Sequence, residues 1–306
     1  MKKLKTIIAP VIFSSPLLTL SCTYDTNNVV HNNQKLSKQV INNNVEEAKW
    51  KNFINQDYIQ ALLKNVYKNN LKEKEEYIKS QMNIKDTYLN DIKWAFYYGS
   101  NNVRQYRPDG SSAWYMPKTD PLLLQKSDKL INEFSRKNWL FYLYHFNNLK
   151  FIYYPNNVDR FESSITDTDY NTRENAQKLG AFYSPKTNDI LEYTTQVYED
   201  SETYKEISFY MLTKEGFIVN IDITDSNPKD NKSIPEVSVF GYIFTYPKLI
   251  SDKELLKHFS LKEYVVSSQS FSELRNNKTS EILFKDKYGG SILRYCIYGI
   301  NTEPNS

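Results

Sequence analysis

The spacing of apolar residues changes partway along the chain, and that change fixes the class of fold. Between residues 45 and 149 apolar positions recur at three and four, as in Ile59, Leu62, Leu63 and Val66, and again in Tyr88, Leu89, Ile92, Ala95 and Phe96. That repeat is one face of an α-helix. From about residue 190 the repeat drops to two, over 191–198, 204–213, 217–224 and 236–246, which is the pattern of half-buried strands. Helices first and strands afterwards predict an α+β fold, with an N-terminal helical region packed on a C-terminal antiparallel sheet.

Punctuation residues divide the two halves. Asn69-Asn70 marks a break, beyond which Leu71, Ile78 and Met82 prolong the apolar stripe. Asp86 has the character of an N-cap, and Gly99 suits the position just past a helix end. Residues 100–121 read as loop, with a turn at Asp109-Gly110. A further helix is predicted from about Asp120 to Phe146. Its end, WLFYLYHF (139–146), is apolar on every side and so is expected to be buried on every side. Lys150–Tyr154 reads as a strand. Asn171, Glu174 and Gly180 bracket a short helix, Glu215-Gly216 is a tight strand connection, and Gly241 is a candidate bulge. Short helices are expected over 255–259 and 272–275, and a final hairpin pairs 282–285 with 291–298.

The first 21 residues carry Lys2, Lys3 and Lys5 with no acid, followed by a short apolar run broken by Pro10 and Pro16. That is the layout of an export signal, and the run is too short for a transmembrane helix. It ends in LLTLSC (17–22), which resembles a bacterial lipobox. The expectation is cleavage before Cys22, a lipid on its thiol and attachment to a membrane without a transmembrane segment. The predicted organisation is a signal peptide over 1–21, a disordered Asn-rich tether over 22–44 and one domain over 45–306. Within that domain 45–149 is mainly helical and 150–306 mainly strands.

Composition narrows the function classes. The formal charge of +3 belongs to the three leader lysines; without them 36 basic residues face 36 acidic ones. No electrostatic nucleic-acid partner is expected. With Cys22 lipidated, Cys296 has no disulfide partner and reads as a buried, inert thiol. The 25 tyrosines come with abundant Asn, Lys and Ile, as AT-rich codons would produce, so their number alone does not define a binding surface.

Chemistry-bearing constellations are sparse. His31 lies in the tether, His145 in the aromatic helix and His258 near a helix end, with His145 read as a hydrogen-bonded core residue. Ser111 and Ser112 sit on a loop without the glycines of a nucleophile elbow. Asp167, Asp169 and Asn171, and separately Asp225, Asn227 and Glu236, have partial calcium-loop spacing. Thr172 and Asp230 stand where the turn glycine is needed, so both loops read as turns or caps. No metal and no cofactor is expected, and eight glycines leave no phosphate loop in view.

The stretch NWLFYLYHFNNLKFIYYP (138–155), together with the lipobox and the Asn/Lys-rich tether, resembles the mycoplasma surface lipoproteins called aromatic cluster or aromatic motif surface proteins. The resemblance implies a location, the outer face of a wall-less cell facing a host. It implies no catalytic residue.

The sequence therefore predicts a lipid-anchored surface protein, a binding or adhesion module contacting a host protein or glycan or another surface protein. The alternative is a cell-surface hydrolase with an unidentified carboxylate or serine site. The loop Arg104–Tyr115 is the candidate partner-binding segment. Arg104, Tyr106, Arg107, Trp114 and Tyr115 are the residue types that anchor interfaces.

Overall fold

The computed structural model describes residues 29–32, 45–85, 87–99, 121–153, 179–180, 182–230, 232–274 and 281–302. The chain begins with a short strand, β1 (Val29–Asn32), and four helices: α1 (Val45–Ile54), α2 (Asp57–Tyr67), α3 (Leu71–Met82) and α4 (Thr87–Gly99). After α5 (Pro121–Asn132) come a π-helical turn (Glu133–Lys137), α6 (Trp139–Tyr144) and a 3-10 turn (Phe146–Asn148). Strands β2 (Leu149–Tyr153), β3 (Phe182–Tyr183), β4 (Ile190–Asp200), β5 (Lys205–Thr213), β6 (Ile218–Asp225) and β7 (Glu236–Thr245) follow. The chain closes with α7 (Pro247–Ser251), α8 (Lys253–Lys257), α9 (Leu261–Leu274), a second π-helical turn (Glu281–Lys285) and β8 (Leu293–Ile300).

All eight strands form one antiparallel sheet in the order β1-β4-β5-β6-β7-β8-β2-β3. Alternation sorts its two faces. Tyr193, Phe209, Met211, Ile221, Val239 and Tyr295 point inward and join the N-terminal helices in the main core. Leu212 and Ile218 point the other way, into a smaller core under α7, α8 and the second π turn, with Tyr246, Phe259, Phe284 and Tyr288. The expected packing of helices on a C-terminal antiparallel sheet is what the chain adopts. In the second layer, α9 lies against β1, β4 and β5.

Local chemistry explains the element boundaries. Ile59, Leu62, Leu63 and Val66 are all buried on α2. The break after it falls where expected: Lys68 has φ +50°, and the Asn70 side chain caps α3 by accepting from the Glu73 amide at 3.3 Å. Thr213 and Phe217 close the Glu215-Gly216 connection with an amide-to-carbonyl bond of 2.7 Å. Gly216 has φ +89°, and a Cβ there would stand 2.8 Å from the Leu249 carbonyl oxygen, so both conformation and space call for glycine. The β6–β7 register shifts between Val219 and Ile221, opposite the segment containing Gly241.

The structure corrects several expectations. The predicted helix from 120 to 146 is interrupted at Asn138, whose amide donates to the Glu133 carbonyl in the π turn at 2.9 Å. The Asn138 side chain accepts from Gln81 Nε2 at 3.1 Å and donates to the Tyr88 hydroxyl at 3.1 Å, tying the break to α3 and α4. Leu71 and Met82, placed on the buried stripe, are exposed, whereas Ile78 packs on the core. Residues 282–285 form a π turn rather than a strand, because Phe284 inserts into the smaller core beside Tyr246 and Tyr288. The short helix expected at 272–275 is the end of the longer α9. Val29–Asn32, inside the segment expected to be a tether, pairs with Tyr193–Gln196 of β4. Asp86, residues 101–120 and residues 154–178 lie outside the described residues.

Candidate functional site

The aromatic block is core. Trp139, Phe141, Leu143 and Phe146 are all buried. Its hydrophobic faces meet α1 through Tyr144, which packs edge-on against Trp50 at 4.8 Å and Phe53 at 5.2 Å. His145 packs tilted against Phe141 with ring centroids 4.2 Å apart, and its Nδ1 lies 3.3 Å from Asn148 Oδ1, the hydrogen-bonded role expected of it. Burial pushes the Cys296 thiol up to about 12, against a smaller opposing pull from Arg294, so it stays protonated and unreactive.

Of the residues singled out for partner binding, Arg104, Tyr106, Arg107, Trp114 and Tyr115 lie outside the described residues, as do Cys22, Ser111 and Ser112. The partial calcium loop from Asp225 to Glu236 is a turn. Asp225 Oδ1 accepts from the Asn227 amide and the Ser233 hydroxyl, both at 3.0 Å. Among the described residues no group of three or more His, Cys, Asp or Glu is placed to hold a metal ion.

Two surfaces do have the build of a site. The first is the sheet face turned away from the main core, over β7, β8, β2 and β3. Ile152, Cys296 and Tyr242 form a row across three strands, with Cys296 paired to both. Around that row lie Phe240, 5.1 Å from Tyr242 and stacked at 6.4 Å with Phe244, and Phe182, edge-on to Tyr298 at 5.7 Å. The Arg294 guanidinium sits 5.0 Å above the Tyr242 ring. Phe182 is 64% exposed and Phe240 39%. Polar groups continue the face on β4–β6, where Ser208 donates to Asp222 at 2.5 Å, Asn220 donates to the same oxygen at 3.2 Å, and the Tyr198 and Tyr210 hydroxyls meet at 2.9 Å. Open rings beside an arginine and a fixed carboxylate are suited to holding a partner.

The second surface is a cleft of about 580 Å³ on the helical side, between α3, the first π turn and the start of β7. Tyr67, Tyr77 and Trp139 form a ladder along it, with successive ring centroids 5.4 Å apart. Arg136, Lys137 and Glu236 stand at its mouth. Sequence reasoning missed both surfaces. The sheet face had a signal in VSVFGYIFT (237–245), which is apolar on both sides of a strand; the cleft joins positions too far apart in the chain to carry one.

One antiparallel sheet with helices on both of its faces is an α+β fold, and a fold by itself assigns no activity. A family model described as aromatic cluster surface protein matches residues 32–289, and the chain belongs to that family of surface proteins. No curated protein and no solved structure matches it. No helix among the described residues is long and apolar enough to cross a membrane.

Proposed function

We propose that this chain is a lipid-anchored binding protein of the outer cell surface, held by a lipid on Cys22 and contacting a host macromolecule or another surface protein. The observation that carries the binding role is the half-exposed aromatic sheet face around Phe240, Tyr242, Tyr298 and Phe182, with Arg294 over one ring. Large rigid rings and arginine give much contact area for little lost side-chain entropy. The anchor rests on the leader and LLTLSC (17–22), and it agrees with membership of a surface-protein family. The Arg104–Tyr115 loop remains a second candidate contact.

Capture from host fluid tests the binding role. The bait is the chain from Thr23 onward, because a fragment starting at Val45 would remove β1 from the sheet. Capture of one protein or glycan that is lost in Phe240→Asn/Phe182→Asn, with unchanged melting temperature, supports the sheet face. Capture unaffected by that pair but lost in Arg107→Ala/Trp114→Ala moves the contact to the loop. Reproducible hydrolysis of a peptide or glycan substrate, abolished by changing one carboxylate or serine, would replace the binder with the hydrolase. The anchor has its own test: Cys22→Ser is expected to leave the detergent phase, and an unmodified mature N-terminus would refute the lipid.

A further inference from the structure

We propose that the cleft beside α3 binds a small ligand carrying a single carboxylate on an apolar or aromatic body. This site is separate from the sheet face, since it is built by the helices that cover the sheet's other side. Its volume of about 580 Å³ falls within the range of small-molecule sites. Its inner surface is apolar, from Tyr67, Tyr77, Pro235 and Val237, and the ring ladder is fixed in place. The Tyr77 hydroxyl donates to the Lys137 carbonyl at 3.0 Å and accepts from the Leu140 amide at 3.3 Å. Gln81, only 4% exposed, donates to Asn138 at 3.1 Å and accepts from the Phe141 amide at 3.3 Å. The walls are thus preorganised, and a ligand need not order them.

The charge at the mouth selects an anion. Arg136 and Lys137 are consecutive on the π turn, and Glu236 faces them from β7. Arg136 Nη1 lies 3.9 Å from Glu236 Oε2, with both side chains more than half exposed. An ion pair that long and that wet contributes little. A ligand carboxylate can therefore displace Glu236 and take the two-pronged guanidinium contact that the protein's own acid does not make. Two cations against one acid leave a single positive charge, matched by a carboxylate rather than by a phosphate dianion.

Calorimetry on the purified full chain tests this, with N-acetylphenylalanine and its amide as probes. The acid is expected to bind with Kd of about 1 mM or tighter and the amide about tenfold more weakly. Arg136→Gln should weaken the acid by about tenfold and leave the amide unchanged. Glu236→Gln, which removes the competing carboxylate, should tighten the acid. Ile234→Asp, at an exposed position on the cleft, should weaken it by repulsion. Equal binding of acid and amide, insensitivity to Arg136→Gln in a variant of normal melting temperature, or no heat from the acid at about 10 mM would each overturn the proposal.

Discussion

The ammonium of Lys68 sits 2.7 Å from Oδ2 of Asp225, with the carbonyl oxygens of Pro228 and Asp230 at 3.4 and 3.5 Å from the same nitrogen. A side-chain cation thus occupies the loop whose spacing partly resembles a calcium site. It joins the end of α2 to the β6–β7 connection and holds Lys68 itself at φ +50°, a region that favours glycine. Asp225 is 3% exposed, so removing its counter-ion would strand a buried carboxylate.

Lys68→Met is therefore expected to destabilise the chain by about 2–3 kcal/mol in urea unfolding, less than for a fully enclosed pair because Lys68 keeps contact with water. Burial pushes the Asp225 carboxyl up, but the bonds from Lys68, the Asn227 amide and Ser233 outweigh it and hold the group below its ordinary 3.8. The folded pKa is depressed, so this stabilisation is complete above pH 3.8 and is lost as pH falls through the folded value. The acid limb of the stability profile should be shallower in Lys68→Met.

Two tyrosine hydroxyls should respond in opposite directions. Tyr142 is buried, its hydroxyl has no hydrogen-bond partner among the described residues, and burial alone drives its pKa up. Tyr142→Phe removes an unpaired polar group and is expected to stabilise by up to about 1 kcal/mol. Tyr77 serves two backbone partners, and Tyr77→Phe should cost about 1–2 kcal/mol. Chemical denaturation of both variants reads the difference. A cost for Tyr142→Phe equal to that of Tyr77→Phe would refute this account of their surroundings.

Glu192 makes stability depend on pH near neutrality. It lies on β4, where burial raises its carboxyl to about 7 against the lowering effect of a backbone hydrogen bond with Leu261 at the start of α9. The folded pKa is raised, so between pH 4.5 and about 7 the folded state holds more protons than the unfolded one. Stability therefore falls as pH rises across that window. Glu192→Gln should remove this slope and melt higher than the parent at pH 8, with the two curves converging towards pH 4.5. Parallel profiles would show that Glu192 titrates normally.

Where one periodic signal dominated, the sequence was enough. The α2 stripe and the β6 alternation appear in the structure because one main buried face set each pattern, whereas β5 is buried on both sides, with Phe209 and Met211 in the main core and Leu212 in the smaller one. Asn138 shows where local reading fails. Its helix pattern is continuous, yet Gln81 and Tyr88, about 50 residues away, supply the hydrogen bonds that favour a break. Phe284 failed as a strand for a similar reason, since the distant rings of Tyr246 and Phe259, with Tyr288 four residues on, give it a buried place in a turn. The cleft was hidden because Tyr67, Arg136 and Glu236 come from three elements far apart in the chain. The outer aromatic face was hidden because β7 is apolar on both sides, and a strand apolar on both sides does not say which side is covered.

Phe141 and Phe240 separate the two uses of aromatic residues in this chain. Phe141 is 2% exposed and is ringed by Tyr88 at 5.7 Å and His145 at 4.2 Å. Phe141→Ala should leave a cavity and cost about 3–5 kcal/mol, as for other core aromatics. Phe240 touches Tyr242 and Phe244 but keeps 39% of its surface in water. Phe240→Ala should cost about 1 kcal/mol or less, because much of the ring was never removed from solvent. If the sheet face holds the partner, partner capture should show the reverse ranking: weakened by Phe240→Ala, and unchanged in Phe141→Ala at temperatures where that variant stays folded. A large stability loss in Phe240→Ala would assign that ring to the core and leave the sheet face without its central anchor.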